Sequence, residues 1–150
     1  MTDDLVINGV FSSILNGSPD RTEWGPMIKV SIGDPAWDQK TIPKIVMADV
    51  AALLDTGAGI CFIKNRIAIS LSLPKIKDGT SINFDKVEKA TLYSMVLVIP
   101  GFRKITSLQV VGKDLPESGF DVILGWSFLS RYTLLFSKKT DIVRLEWVGE

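Results

Sequence analysis

The chain has 150 residues, is 46% hydrophobic, and carries 17 Lys plus Arg against 17 Asp plus Glu, so its formal net charge is zero. That length supports one domain with a real core, and the charge balance offers no basic stripe for phosphates, so nucleic acid is not an expected ligand. With no histidine and a single cysteine, Cys61, the sequence lacks Ser-His and Cys-His nucleophile pairs, an internal disulfide and the ligand set of a zinc site, leaving carboxylate, lysine and tyrosine chemistry.

No apolar run approaches the roughly 20 residues that span a bilayer, and Met1-Thr2-Asp3-Asp4 lacks the basic and apolar regions of a signal peptide. The expectation is a soluble, cytoplasmic, unsecreted protein with no membrane partner. Asn16-Gly17-Ser18 fits the glycosylation pattern but reads as an Asn-Gly turn. Residues 1–26 are read as an N-terminal extension or arm, because strand signals are sparse up to Glu23, and residues 27–150 as the folded domain.

From there β-branched and aromatic runs alternate with Gly, Pro, Asn and Asp, the pattern of an all-β chain. Met27 to Ile32 is a predicted strand, with Gly33-Asp34-Pro35 opening a loop. Ile42 to Met47 and Val50 to Leu54 follow as two strands, the second ending on Asp55. Cys61-Phe62-Ile63 comes after a glycine-rich loop, and its apolar setting marks Cys61 as an inert core residue. Arg66 to Leu73 reads as either a strand or a short irregular helix. Lys75-Ile76-Lys77 and Ile82-Asn83-Phe84 flank Asp78-Gly79-Thr80-Ser81, which predicts an exposed hairpin tip, where a positive φ at Gly79 would make that position sensitive to substitution.

Thr91 to Ile99 and Ile105 to Val111 are two further strands, with Pro100-Gly101 as the turn between them. After the polar loop from Lys113 to Gly119, Phe120 to Leu124 is a buried strand ending at Gly125. Trp126 to Tyr132 has room for one or two helical turns. Thr133 to Phe136 and Asp141 to Trp147 close the chain as a hairpin around Ser137-Lys138-Lys139-Thr140.

The strongest chemical signal is Ala51-Ala52-Leu53-Leu54-Asp55-Thr56-Gly57-Ala58, a hydrophobic run delivering a carboxylate into a turn of small residues. A buried approach strand desolvates the acid, Gly57 and Ala58 admit close backbone, and the Thr56 hydroxyl can hold the loop. The bland alternative is an ordinary strand-end turn. A second element, Val122-Ile123-Leu124-Gly125, repeats the theme of an apolar strand meeting glycine. Asp121 precedes it without a following Thr-Gly and is read as structural, salt-bridged or capping. Gly57-Ala58-Gly59 is not a dinucleotide loop, since Phe62 stands where glycine is required, and the four tryptophans are read as packing or interface residues.

Taken in order, the paired strands, Asp55-Thr56-Gly57-Ala58, the glycine-bearing segment at Asp78-Gly79-Thr80, two strands, Ile123-Leu124-Gly125 and a short helix resemble the retropepsin type of aspartic peptidase. The segments 78–82 and 119–125 look most like the peptidases of retroelement and plant pararetrovirus polyproteins, and the likeness spans about Met27 to Trp147. It implies an all-β, closed barrel or sandwich with one short C-terminal helix. It makes Asp55 the catalytic residue, Thr56, Gly57 and Ala58 its loop, Asp78, Gly79, Thr80 and Ser81 a flap over substrate, and Ile123, Leu124 and Gly125 the brace behind the loop, with no metal and no cofactor.

Two carboxylates about 3 Å apart share a proton, and one Asp-Thr-Gly supplies half of such a pair. The resemblance therefore implies a homodimer with Asp55 beside Asp55 of the partner subunit, Thr56 hydroxyls bracing the two loops, and termini interleaved as an inter-subunit sheet that includes Val143 to Glu150. Its substrate would be a polypeptide, its own polyprotein. A catalytically weak dimerisation or protein-binding module is the alternative, as is a plain β-rich binding domain. Two departures stand out: Gly59-Ile60 follows Ala58 where an acid is frequent, and Trp126 follows Gly125 where some members carry an arginine to pair with that acid.

Overall fold

Burial along the strand from Ile45 to Leu54 rises in one direction, from exposed at Ile45 and Val46 to almost complete at Ala52, Leu53 and Leu54. Val50, Ala52 and Leu54 enter the main core, while Leu53 and Ala51 point to the other face and join Met27, Phe120, Leu115 and Ile123 in a smaller apolar cluster. Alternate side chains of a strand point to opposite faces, so covering both faces at this end removes the approach to Asp55 from water. The computed structural model describes residues 6–14, 22–83, 86–99, 105–115, 119–137 and 139–148. The expected turns at Asn16-Gly17 and Pro100-Gly101, with Phe84, Pro116 and Lys138, lie outside the described residues.

In chain order the elements are β1 (Val6–Ile14), β2 (Thr22–Gly33), β3 (Ile45–Leu54), β4 (Cys61–Lys64), α1 (Asn65–Ser70), β5 (Lys75–Asn83), β6 (Lys86–Val98), β7 (Ile105–Lys113), β8 (Val122–Leu124), α2 (Trp126–Leu129), β9 (Tyr132–Ser137) and β10 (Ile142–Trp147). The strands form one sheet in the order β5-β6-β7-β4-β8-β3-β2-β1-β10-β9, and an additional β6–β2 pairing brings the sheet round into a ring. Most neighbours are antiparallel. The exceptions are β3 with β8 and β4 with β7, which lay the two motif-bearing strands side by side. The core inside the ring is apolar, with Val30, Ile32, Ile63, Met95, Leu97, Val110, Val122 and Leu124 all essentially inaccessible.

The all-β expectation holds, with α1 as a second short helix. Its sequence, Asn65 to Ser70, buries Ile67 and Ala68, and apolar residues two apart at Ile67 and Ile69 explain why the sequence alone leaves strand and helix both open. The two strands expected at 42–47 and 50–54 are one, β3, which passes through Asp49 at φ 56° with register shifts against β2 between Val30 and Gly33. Asp tolerates this left-handed conformation better than most residues, so the ladder absorbs it as an irregularity.

Three further expectations are revised. The segment read as an arm supplies β1, whose Val6 to Gly9 pair with β10 and whose Val10 to Ile14 pair with β2. The C-terminal strand β10 lies between β1 and β9 with Val143 and Leu145 in the core; among the described residues Val143 to Glu146 are paired on both sides within the chain, where the expectation placed this strand in an inter-subunit sheet. The hairpin tip is not at Asp78-Gly79-Thr80-Ser81. Those residues sit inside β5, opposite Thr91, Ala90, Lys89 and Glu88, and the connection falls between the paired residues Asn83 and Lys86.

Candidate active site

Asp55 is the first residue beyond β3, and its backbone N–H donates to the carbonyl of Leu124 at 3.0 Å. Its side chain turns back over its own loop, where Oδ1 accepts the Gly57 N–H at 2.8 Å, and the Ala58 N–H donates to the Asp55 carbonyl at 3.2 Å. An Asp that accepts from the amide two residues on makes an Asx-turn, and a carboxylate is the form that gains most from such a donor. A Cβ on Gly57 would lie 3.2 Å from Asp55 Oδ1, so the small residue keeps the carboxylate uncrowded. Asp55 is half-buried, while Thr56, Gly57, Gly59 and Ile60 are exposed.

The segment after Leu124 closes the loop from behind. The Trp126 N–H donates to the Ala58 carbonyl at 2.8 Å and the Ser127 N–H to the Gly59 carbonyl at 3.0 Å. Gly125 lies so close that a Cβ there would fall 2.3 Å from the Ile60 carbonyl oxygen and 2.6 Å from that of Ala58. Only glycine fits. Ile123, Leu124 and Gly125 are thus brought into direct register with Leu53, Leu54 and the Asp55 loop. The Cys61 and Ser127 side chains meet at 3.2 Å, and Cys61 is fully buried.

Two contacts are not legible as sequence motifs. Trp126 donates its indole Nε1–H to the Thr56 carbonyl at 2.5 Å, and Lys64, at the end of β4, carries a side chain only 5% exposed whose Nζ lies 2.9 Å from Asp121 Oδ1. The Lys64 N–H also donates to the Asp121 carbonyl, and the Asp121 N–H donates to Ala51. Asp121 therefore ties β3 and β4 to the start of β8, the structural role read for it. The only signals in the sequence are the position of Trp126 directly after Gly125 and a charged residue closing the apolar run of β4.

The flap residues are not brought to Asp55. Asp78, Gly79 and Thr80 line an open groove of about 810 Å³ with Asn65, Thr91, Lys113 and Asp114, and Asp55 is not part of its wall. Asp78 accepts from the Thr91 hydroxyl at 2.8 Å and from Lys75 Nζ at 3.3 Å; the Thr91 bond, then the Lys75 bond, holds its carboxyl below the usual range. Gly79 has no positive φ and open space around its Cα. Ser81 pairs with Glu88. Of the tyrosines, Tyr132 is packed on Phe128 with ring centroids 4.8 Å apart, and burial pushes its hydroxyl up to about 12. Among the described residues no cluster of acidic or sulfur side chains could hold a metal ion, and no helix is long and apolar enough to cross a membrane.

Neither a protein-family model nor a curated protein matches this sequence. Among solved structures, a retropepsin-like aspartic protease from Rickettsia conorii matches with a TM-score of 0.55 and 16% identity, over 95% of this chain and 92% of that one. At that identity the likeness establishes the fold, which is retropepsin-like.

Proposed function

We propose that this protein is an aspartic endopeptidase that works as a homodimer, with Asp55 of each chain forming the catalytic pair. The observation that carries this reading is the half-buried Asp55 at the end of a doubly covered strand, with its Oδ1 fixed by the Gly57 amide in a loop of small, exposed residues. The retropepsin-like fold supports it, as does the bracing of that loop by Leu124, Gly125 and Trp126.

The sequence contains one Asp-Thr-Gly, so a carboxylate pair needs two chains. Exposed apolar groups beside the loop, Ile60 at 48% and Trp126 at 42%, are suited to burial in such an association. In the dimer the two carboxylates share one proton. The ionised Asp55 takes a proton from a bound water, the water oxygen attacks the scissile carbonyl carbon, and the protonated Asp55 gives its proton to the carbonyl oxygen. Collapse of the tetrahedral intermediate breaks the C–N bond: the Asp55 that took the water proton gives it to the departing nitrogen, and the other Asp55 takes back a hydroxyl proton, which restores the shared-proton pair. The β5–β6 hairpin, turning between Asn83 and Lys86, would cover an extended polypeptide in the cleft and exclude water. The sequence resemblance to retroelement and pararetrovirus peptidases supports the narrower reading that the substrate is the polyprotein to which the chain belongs.

Peptide cleavage at mildly acidic pH, compared between wild type and Asp55→Asn, tests the reading. Cleavage lost with the fold intact is the expected result; undiminished turnover by the variant rejects it.

A further inference from the structure

The Thr56–Gly57 peptide unit is engaged on both sides. Its N–H donates to Asp55 Oδ1 at 2.8 Å, and its carbonyl accepts the indole Nε1–H of Trp126. In a trans peptide these two groups point in opposite directions from one rigid plane, so fixing the carbonyl on one side fixes where the N–H points on the other. Linked hydrogen bonds through one amide also polarise each other. Among the described residues, the bonds from the Trp126 and Ser127 N–H groups to the carbonyls of Ala58 and Gly59 come from backbone and would survive a change of side chain. At Trp126 the indole bond is the one that depends on residue identity.

We infer that Trp126 is a positioning residue for Asp55, acting through the Thr56–Gly57 peptide plane to hold the carboxylate in its working orientation. The indole N–H goes to the Thr56 carbonyl and not to the carboxylate, so this is a positioning and not a catalytic role. The bond is neutral, and it lies where the family resemblance leads one to look for an ion pair that Gly59 and Trp126 cannot form. The inference rests on the peptidase reading for its catalytic consequence, but its structural part does not.

The test uses Trp126→Phe, which keeps an aromatic ring and removes the N–H, and a site-specific benzothienylalanine at the same position, which keeps the bicyclic shape with sulfur in place of N–H. The first readout, amide hydrogen exchange at Gly57, needs no activity. Loss of one net hydrogen bond should speed it about tenfold in both variants, with Leu54 and Val122 exchanging as in wild type. The second readout is kinetic, taken where sedimentation shows all proteins in the same association state: kcat should fall about tenfold with KM within about twofold. Gly57 exchange equal to wild type in both variants overturns the inference, as does a loss of protection shared with Leu54 and Val122 in the isosteric variant, which would mark a packing role. Asp55→Asn is run alongside. If it still cleaves, the peptidase reading fails while the Gly57 exchange continues to decide the role of Trp126.

Discussion

The backbone N–H of Asp55 meets the carbonyl of Leu124 at 3.0 Å, one residue beyond the last paired position of the parallel β3–β8 ladder. The Asp55 loop and the segment behind it are therefore joined by a continuation of sheet hydrogen bonding, and the loop inherits the rigidity of two buried strands.

That arrangement makes Gly125 the least replaceable residue behind the loop. A Cβ there meets the carbonyl oxygens of Ile60 and Ala58 at 2.3 and 2.6 Å, and both are backbone atoms that cannot rotate aside. Gly125→Ala should lower stability by about 3 kcal/mol, measured by urea unfolding, and should displace the Asp55 loop so that peptide cleavage is lost as well. An unchanged unfolding midpoint would mean that the loop can move away freely.

Gly79 is expected to behave in the opposite way. It lies in β5 opposite Ala90, without positive φ and with no atom within 4 Å of where a Cβ would stand. Gly79→Val supplies a β-branched residue to an exposed strand, so stability should stay within about 0.5 kcal/mol of wild type or rise slightly. Thermal unfolding decides this; a loss of more than about 2 kcal/mol would show that the β5–β6 pairing is not as described.

Lys64 and Asp121 give a third outcome. Asp121→Ala removes the carboxylate from beside an ammonium whose side chain is 5% exposed, and should cost about 3 kcal/mol. The double change Lys64→Met with Asp121→Leu should recover part of that loss, because the buried ammonium is removed along with the carboxylate. Denaturant unfolding of the single and double variants provides the comparison. A double variant no better than Asp121→Ala would contradict the ion-pair account.

The sequence is most informative where local pattern and packing agree. The run into Asp55 and the run into Gly125 are both apolar because both strands are covered on two faces, as Leu53 and Ile123 on one side and Leu54 and Leu124 on the other make plain. It misleads at Asp78-Gly79, whose composition signals a turn. There the Asp78 carboxylate is held across the hairpin by Thr91 and along the strand by Lys75, so turn-forming residues are accommodated in an exposed strand. β1 escapes notice because Asn8-Gly9 interrupts its pattern and its partner β10 is more than a hundred positions away in sequence. The Trp126 bond to Thr56 spans 70 residues, and no local pattern encodes such a contact.

The central claim, one active site built from two chains, is tested most directly by mixing. Wild type is combined with an equal amount of Asp55→Asn, allowed to re-equilibrate at a concentration where both are dimeric, and assayed for peptide cleavage. With random pairing about half of the wild-type chains sit in mixed dimers that carry a single Asp55. The account predicts that the activity per wild-type chain falls to about half and declines further as more variant is added. Activity per wild-type chain that stays constant across the titration would mean that each chain works alone, and would contradict it.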